Sequence, residues 1–290
     1  MTRIFLAFMW LLHWLPLPVQ AAIGWLLGHL LYLLVVPRRR VLHTNLRLCF
    51  PELSPAQRRT LARRVVVAVT RSMLERGLIW WAPEARIRKL IELHGLEKLR
   101  SLQAQKRDIV ILLPHFVGLD MAGTRLNLEL DLATMYSAQN NKLLEKMLFR
   151  GRTRFGKQTL ISRQEGVRPI VKAMRSGLPM GILPDMDFGP RDSVFVPFFG
   201  IQTATIPAVS RIARMTNAVV LPLVVHMKPW GQGYVAAFRD PWEDFPTDDA
   251  VADTARMNAW IEAEVRLHPD QYYWVHKRFK TRPQGEAKLY

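Results

Sequence analysis

Asp108-Ile109-Val110-Ile111-Leu112-Leu113-Pro114-His115-Phe116-Val117-Gly118-Leu119-Asp120 is the stretch on which the reading of this chain turns. The apolar run Ile109 to Leu113, bounded by an acid and a proline, has the length of a buried strand. A strand apolar on both sides belongs inside a parallel sheet with both faces covered. Pro114 has no N–H to give a ladder and ends the strand. His115 therefore follows at the carboxyl end, where open α/β sheets bind ligands.

Working outward, further strands are expected at 133–137, 180–183, 219–225 and 234–238, with helices near 118–129, 141–150, 166–176, 205–216 and 252–267. Strands separated by helices of this length predict an α/β fold, a mostly parallel sheet flanked by helices. Before them, Ser54-Pro55 reads as an N-cap and first turn, and Leu61, Val65, Val69 and Met73 recur at helical spacing as far as Trp80-Trp81 and Pro83. That helix is either a core helix or one whose aromatic end touches a membrane. No repeat or flexible linker divides the chain.

Ile4 to Val36 is one long apolar stretch, broken by Pro16 and Pro18. Val19 to Val36 is about long enough to cross hydrocarbon, which takes roughly 17–25 residues. A kinked span and an interfacial hairpin both fit. A cleaved signal peptide fits less well, because the apolar run resumes after Gln20-Ala21-Ala22 and ends in Arg38-Arg39-Arg40. The expected organisation is a membrane anchor over 1–40 and a catalytic domain over 41–290. The arginines after the anchor place that domain on the cytoplasmic side. Gly24 and Gly28 form a G-x-x-x-G pair that is a weak signal of helix packing.

The 290 residues carry 41 Lys and Arg against 24 Asp and Glu, a net charge of +17. Such a surface suits anionic partners: nucleic acid, phospholipid headgroups or an acidic carrier protein. Zinc-finger spacing, an RNP-like strand and a convincing helix-turn-helix are all missing from the sequence, so lipid is favoured over nucleic acid. A single cysteine, Cys49, allows no internal disulfide and reads as a small buried hydrophobe.

His115 and Asp120 are the candidate chemistry. Within one helix, five residues would turn them about 140° apart. With His115 on the loop and a helix starting near Gly118, Asp120 falls in the first turn and can reach back to the imidazole. A carboxylate on Nδ1 sets the tautomer and leaves Nε2 free as a base. A loop histidine beside a capping aspartate fits the same spacing. The chain has no G-x-S-x-G elbow, H-E-x-x-H, Walker A loop or G-x-G-x-x-G. That argues against a serine hydrolase and predicts no metal and no cofactor. Direct transfer to an acceptor hydroxyl is the economical mechanism.

His115-Phe116-Val117-Gly118-Leu119-Asp120 resembles the H-x4-D/E motif of glycerolipid-type acyltransferases. More narrowly, the chain resembles the late (lauroyl/myristoyl) acyltransferases of lipid A biosynthesis. The blocks that carry this are 45–53, Pro184 to Arg191, Val194 to Gly200 and Gln271 to Pro283. The resemblance implies acyl carrier protein as donor, a lipid A precursor as acceptor and the cytoplasmic face of the inner membrane as the place of work. Where the family has Tyr-Arg-Pro followed by Asn, this chain has Tyr136-Ser137-Ala138-Gln139-Asn140-Asn141. This departure leaves open another lysolipid acceptor, such as a lysophosphatidate acylated from acyl-CoA. A basic membrane-tethered lipid-binding protein is the non-enzyme alternative.

In this scheme His115 is the general base and Asp120 its orienter. Arg152, with Arg154 and Arg163 behind it, is the candidate for the oxyanion. Asp185, Asp187 and Arg191 either position Arg152 or the acceptor, or only shape a turn. Phe195, Phe198 and Phe199 line an acyl groove or belong to the core. His276, Lys277, Arg278 and Lys280 are candidates for gripping phosphate.

Overall fold

The computed structural model describes residues 2–137 and 140–290. Three helices open the chain: α1 (Thr2–Trp14), α2 (Leu17–Leu34) and α3 (Val36–Cys49). Pro16 and Pro18 separate α1 from α2 because proline is tolerated at a helix start but not inside one. The long α4 (Pro55–Trp81) begins at a capping box, Ser54 Oγ accepting from the Gln57 amide while Gln57 Oε1 accepts from Ser54. Gly24 and Gly28 do form a packing face, and its partner is α4 of the same chain. A Cβ on Gly24 would lie 2.7 Å from Arg71 Cγ, and one on Gly28 2.7 Å from Val67 Cα.

The α/β layer follows as α5 (Glu84–Leu90), β1 (Ile91–His94), α6 (Leu96–Ala104), β2 (Ile109–Leu112), α7 (Leu119–Asn127), β3 (Leu132–Tyr136) and α8 (Lys142–Arg152). It continues through β4 (Gln158–Ser162), α9 (Arg168–Arg175) and β5 (Met180–Ile182), and after a hairpin of β6 (Val194–Phe198) and β7 (Ile201–Thr205) it ends with α10 (Ala208–Thr216), β8 (Val219–Met227), β9 (Tyr234–Phe238) and α11 (Ala250–Leu267). Seven strands make one sheet in the order β1-β9-β8-β2-β5-β3-β4. Its pairings are parallel except β8 with β9. The α/β class expected from the sequence is the class observed.

β2 lies at the centre, with all four residues buried. It pairs in register with β5: Val110 opposite Met180, Ile111 opposite Gly181, Leu112 opposite Ile182. Gly181 has no room for a side chain, since a Cβ there would sit 2.9 Å from Thr134 Cγ2. Both strands then run into the same short phrase, Leu113-Pro114-His115 and Leu183-Pro184-Asp185. The Leu113 amide still donates to the Ile182 carbonyl, at 2.9 Å. Counting three residues on from Leu112 and from Ile182 delivers His115 and Asp185 side by side.

The strands that sequence reading overlooked are β1, β4 and the β6–β7 hairpin. β1 and β4 are the edges of the sheet and carry polar, partly exposed residues in place of an apolar run. The hairpin turns at Phe199 and Gly200, both with positive φ (51° and 73°). Two left-handed residues suit a two-residue turn of the primed type.

Candidate active site

His115 lies part-buried at the end of β2, and its carboxylate partner is Asp185, not Asp120. Asp185 is 1% exposed. Its Oδ1 lies 2.6 Å from His115 Nδ1, and its Oδ2 accepts from the His115 backbone amide at 2.9 Å. An ionised carboxylate only accepts, so Nδ1 carries the proton and Nε2 is left with a lone pair. Burial alone would raise the Asp185 carboxyl, but its electrostatic attraction to the His115 ring and the hydrogen bonds from it outweigh that and hold the group below its ordinary value.

Asp120 does fall in the first turn of α7, as expected, yet it does not reach back to the imidazole. Its Oδ2 pairs with Arg76 of α4 at 2.8 Å and its Oδ1 with Arg152 of α8 at 3.1 Å. Burial pushes its carboxyl up, but the two guanidiniums overcome that and bring it down to about 2. Two features of the fold account for this pairing. The imidazole is already satisfied by a carboxylate that arrives in strand register, and two cations draw Asp120 the other way. Asp120 is thus the pivot of an Arg76–Asp120–Arg152 bridge joining three helices.

His115 forms part of a cleft of about 1220 Å³. Lys142, Lys146, Arg150, Arg152 and Arg163 give its wall a strongly cationic character, with Glu145, Asp187 and Asp192 among them. Arg163 stacks its guanidinium 3.6 Å from the centre of the Phe188 ring. A slot of about 80 Å³ shares Met135, Leu148, Arg152 and Leu183 with the cleft and runs on between Ile79, Trp80, Leu119 and Gly123. A Cβ on Gly123 would meet nothing within 4 Å.

Other expected site residues have partners of their own. Arg154 donates to the Ile79 and Ala82 carbonyls and clamps the end of α8 to the end of α4. Arg191 projects into solvent, pairing only with its neighbour Asp192 among the described residues. Asp187 holds its own loop: it accepts from the Gly189 amide and from the amide and hydroxyl of Thr281. None of Phe195, Phe198 and Phe199 lines the cleft. Phe198 and Phe199 are buried in an aromatic cluster with Phe50, Tyr272, Trp274 and Phe279, where the hairpin turn places them. Arg278 is buried too, donating to the Ala204 carbonyl and Thr205 Oγ1. Of the segment that departs from the family pattern, Ala138 and Gln139 lie outside the described residues.

The C-terminal block is a strap under the histidine loop. Phe116 bridges to Tyr272, the Val117 amide donates to the Gln271 carbonyl, and the Tyr273 amide donates to the His115 carbonyl. His276 Nε2 accepts from the Asp187 amide at 3.0 Å. Burial first, then Arg278 nearby, lower the His276 pKa to about 4 and keep it neutral for that bond.

The model of the family described as bacterial lipid A biosynthesis acyltransferase matches residues 1–281. The chain belongs to this family. It is 36% identical to the lipid A biosynthesis lauroyltransferase of Escherichia coli (strain K12), over 97% of this chain and 92% of that protein. It is 34% identical to the lipid A biosynthesis palmitoleoyltransferase of the same organism, over 98% and 92%. A solved structure, the 1-acyl-sn-glycerophosphate (LPA) acyltransferase PlsC from Thermotoga maritima, overlays with TM-score 0.39 at 12% identity, covering 83% of this chain and 95% of that one. The protein is accordingly an acyltransferase of lipid A biosynthesis with a lipid A precursor as acceptor.

Sequence reading of this lipid A acyltransferase missed Arg76 altogether. The signal was there: Glu75 and Arg76 are two charges inside the otherwise apolar run that ends α4. Glu75 is fully buried, held by Arg71 Nε at 2.8 Å and by the Tyr234 hydroxyl, and Tyr234 packs beneath Gly118 of the histidine loop. Charges tolerated in such a place are paired, and here they serve the site's framework.

Proposed function

We propose that His115 is the general base of acyl transfer and that Asp185 orients it. Nε2 takes the proton of the acceptor hydroxyl, and the oxygen attacks the carbonyl of a donor thioester. As the C–O bond forms and the C–S bond breaks, the imidazolium returns the proton to the departing sulfur. Asp185 keeps Nδ1 protonated and stabilises the imidazolium between the two proton transfers. Arg152, steered by Asp120 into the cleft wall, supplies positive charge where the oxyanion develops. The observation that carries this reading is the His115–Asp185 pair on the floor of a cleft rimmed by cations.

In the same reading the donor is an acyl carrier protein, whose acidic surface suits the basic rim, and the cations also meet the acceptor's phosphates. The enzyme works at the cytoplasmic face of the inner membrane; the exposed apolar residues of α1 and α2 and the arginines that follow them support this. The donor's chain end enters the slot beside Gly123. His115→Ala in the purified enzyme should abolish transfer from acyl carrier protein to lipid A precursor while the circular dichroism and Tm stay near wild type. Turnover within tenfold of wild type would defeat the base assignment, and a higher kcat/KM with acyl-CoA would defeat the donor assignment.

A further inference from the structure

Leu17–Leu34 is the one helix among the described residues long and apolar enough to cross a membrane. Eighteen residues reach about 27 Å, close to the thickness of the hydrocarbon. Its surroundings, however, are those of a helix docked lengthwise on a soluble domain. The start of α2 is wedged against the turn between β8 and β9, where a Cβ on Gly231 would lie 2.6 Å from Pro18 Cα. Its middle meets α4 at Gly24–Arg71 and Gly28–Val67, and its end meets it at Tyr32, 5.7 Å from the Arg63 guanidinium. These three pairs step evenly in opposite directions, so the helices run antiparallel along nearly all of α2.

α1 is tied to the same domain at both ends. The Asn141 side chain at the start of α8 donates to Thr2 Oγ1 at 2.8 Å. At the other end Arg86 donates to the His13 and Leu15 carbonyls. Were α2 to cross the bilayer, α4 would be drawn in beside it with Arg63, Arg64 and Arg71 on it, and charge at that depth is among the costliest things a bilayer can hold. Thr2 would also have to leave Asn141 for the opposite face.

We infer that α1 and α2 form a hairpin that lies in the cytoplasmic leaflet without crossing it, its lipid-facing side made of exposed residues such as Ile4, Leu11, Trp14, Leu26 and Leu33. Arg38 and Arg40 stand exposed just past α2, where leaflet phosphates would meet them. The partner is the surface of an anionic bilayer, bound by apolar insertion and rim charge together. This rests on the reading of the enzyme as working at the inner membrane, and the two can fail separately.

The test is a disulfide cross-link in isolated inner membranes. Thr2→Cys with Asn141→Cys should close in most molecules on mild oxidation, as should the control pair Arg64→Cys with Asp270→Cys, whose parent side chains pair at 2.8 Å. Cys49 is buried and serves as the blank. Closure of the control pair without the Thr2–Asn141 pair overturns the hairpin, because a spanning α2 puts those positions on opposite faces. Recovery of the unmodified enzyme in the soluble fraction overturns the membrane reading itself.

Discussion

Two carboxylates stand near His115, and the regions that hold them are built differently. Asp185 comes off a central strand, is shut away from water and gives both oxygens to one residue, the amide and ring of His115. Asp120 comes off a helix in the cleft wall, is part-exposed and gives its oxygens to arginines from two other helices. The first arrangement sets a tautomer. The second aims positive charge. Nearness in sequence would assign these roles the other way round, so strand register is the better guide to which acid serves a histidine at the end of a central strand.

The largest effect should separate the two acids. Asp185→Asn should lower kcat by about 10³–10⁴-fold, because an amide stabilises the wrong tautomer and no imidazolium. Asp120→Asn should cost about 10–10²-fold, because the guanidiniums remain but lose their aim. Steady-state kinetics on the two variants checks the order, and equal losses would erase the distinction.

A smaller effect sharpens the cleft-wall side of the comparison. Gly123→Val puts three carbons into open space beside the slot. Lipid product mass spectra should shift toward chains about two carbons shorter, with selectivity moving roughly fourfold per carbon at about 0.8 kcal/mol for each CH₂. Unchanged chain length would place the acyl tail elsewhere.

The mildest prediction concerns the strap beneath Asp185. His276 stays neutral in the fold down to about 4 but charges near 6.5 when unfolded. The unfolded state therefore binds the extra proton between those values, so stability falls as pH drops from about 6.5 to about 4. The loss should be on the order of 1–3 kcal/mol. His276→Gln should flatten Tm against pH in that window and leave the curve above pH 7 unchanged.

Much of the framework was legible in the sequence. The strand at Ile109, the helix from Ser54 and the helix that carries Asp120 all declared themselves by apolar period and by caps. Periodicity says nothing about which strands lie side by side, so the meeting of His115 with a residue seventy positions away was not legible, although Leu-Pro-His and Leu-Pro-Asp repeat one phrase at two strand ends. Edge strands escaped because their polar, partly exposed residues give no apolar run. Phe198 and Phe199, for which the sequence left groove and core open, are core residues because a left-handed turn at Phe199 carries both inward, where a straight strand would have shared them between two faces.

The strap has a temporal consequence. Asn45 binds the carbonyls of Trp274 and His276, and the histidine loop is bridged to Tyr272. A ribosome translating this message must therefore release residues beyond 276 before that loop can settle, so the first two helices emerge well before the nascent polypeptide is able to transfer an acyl group.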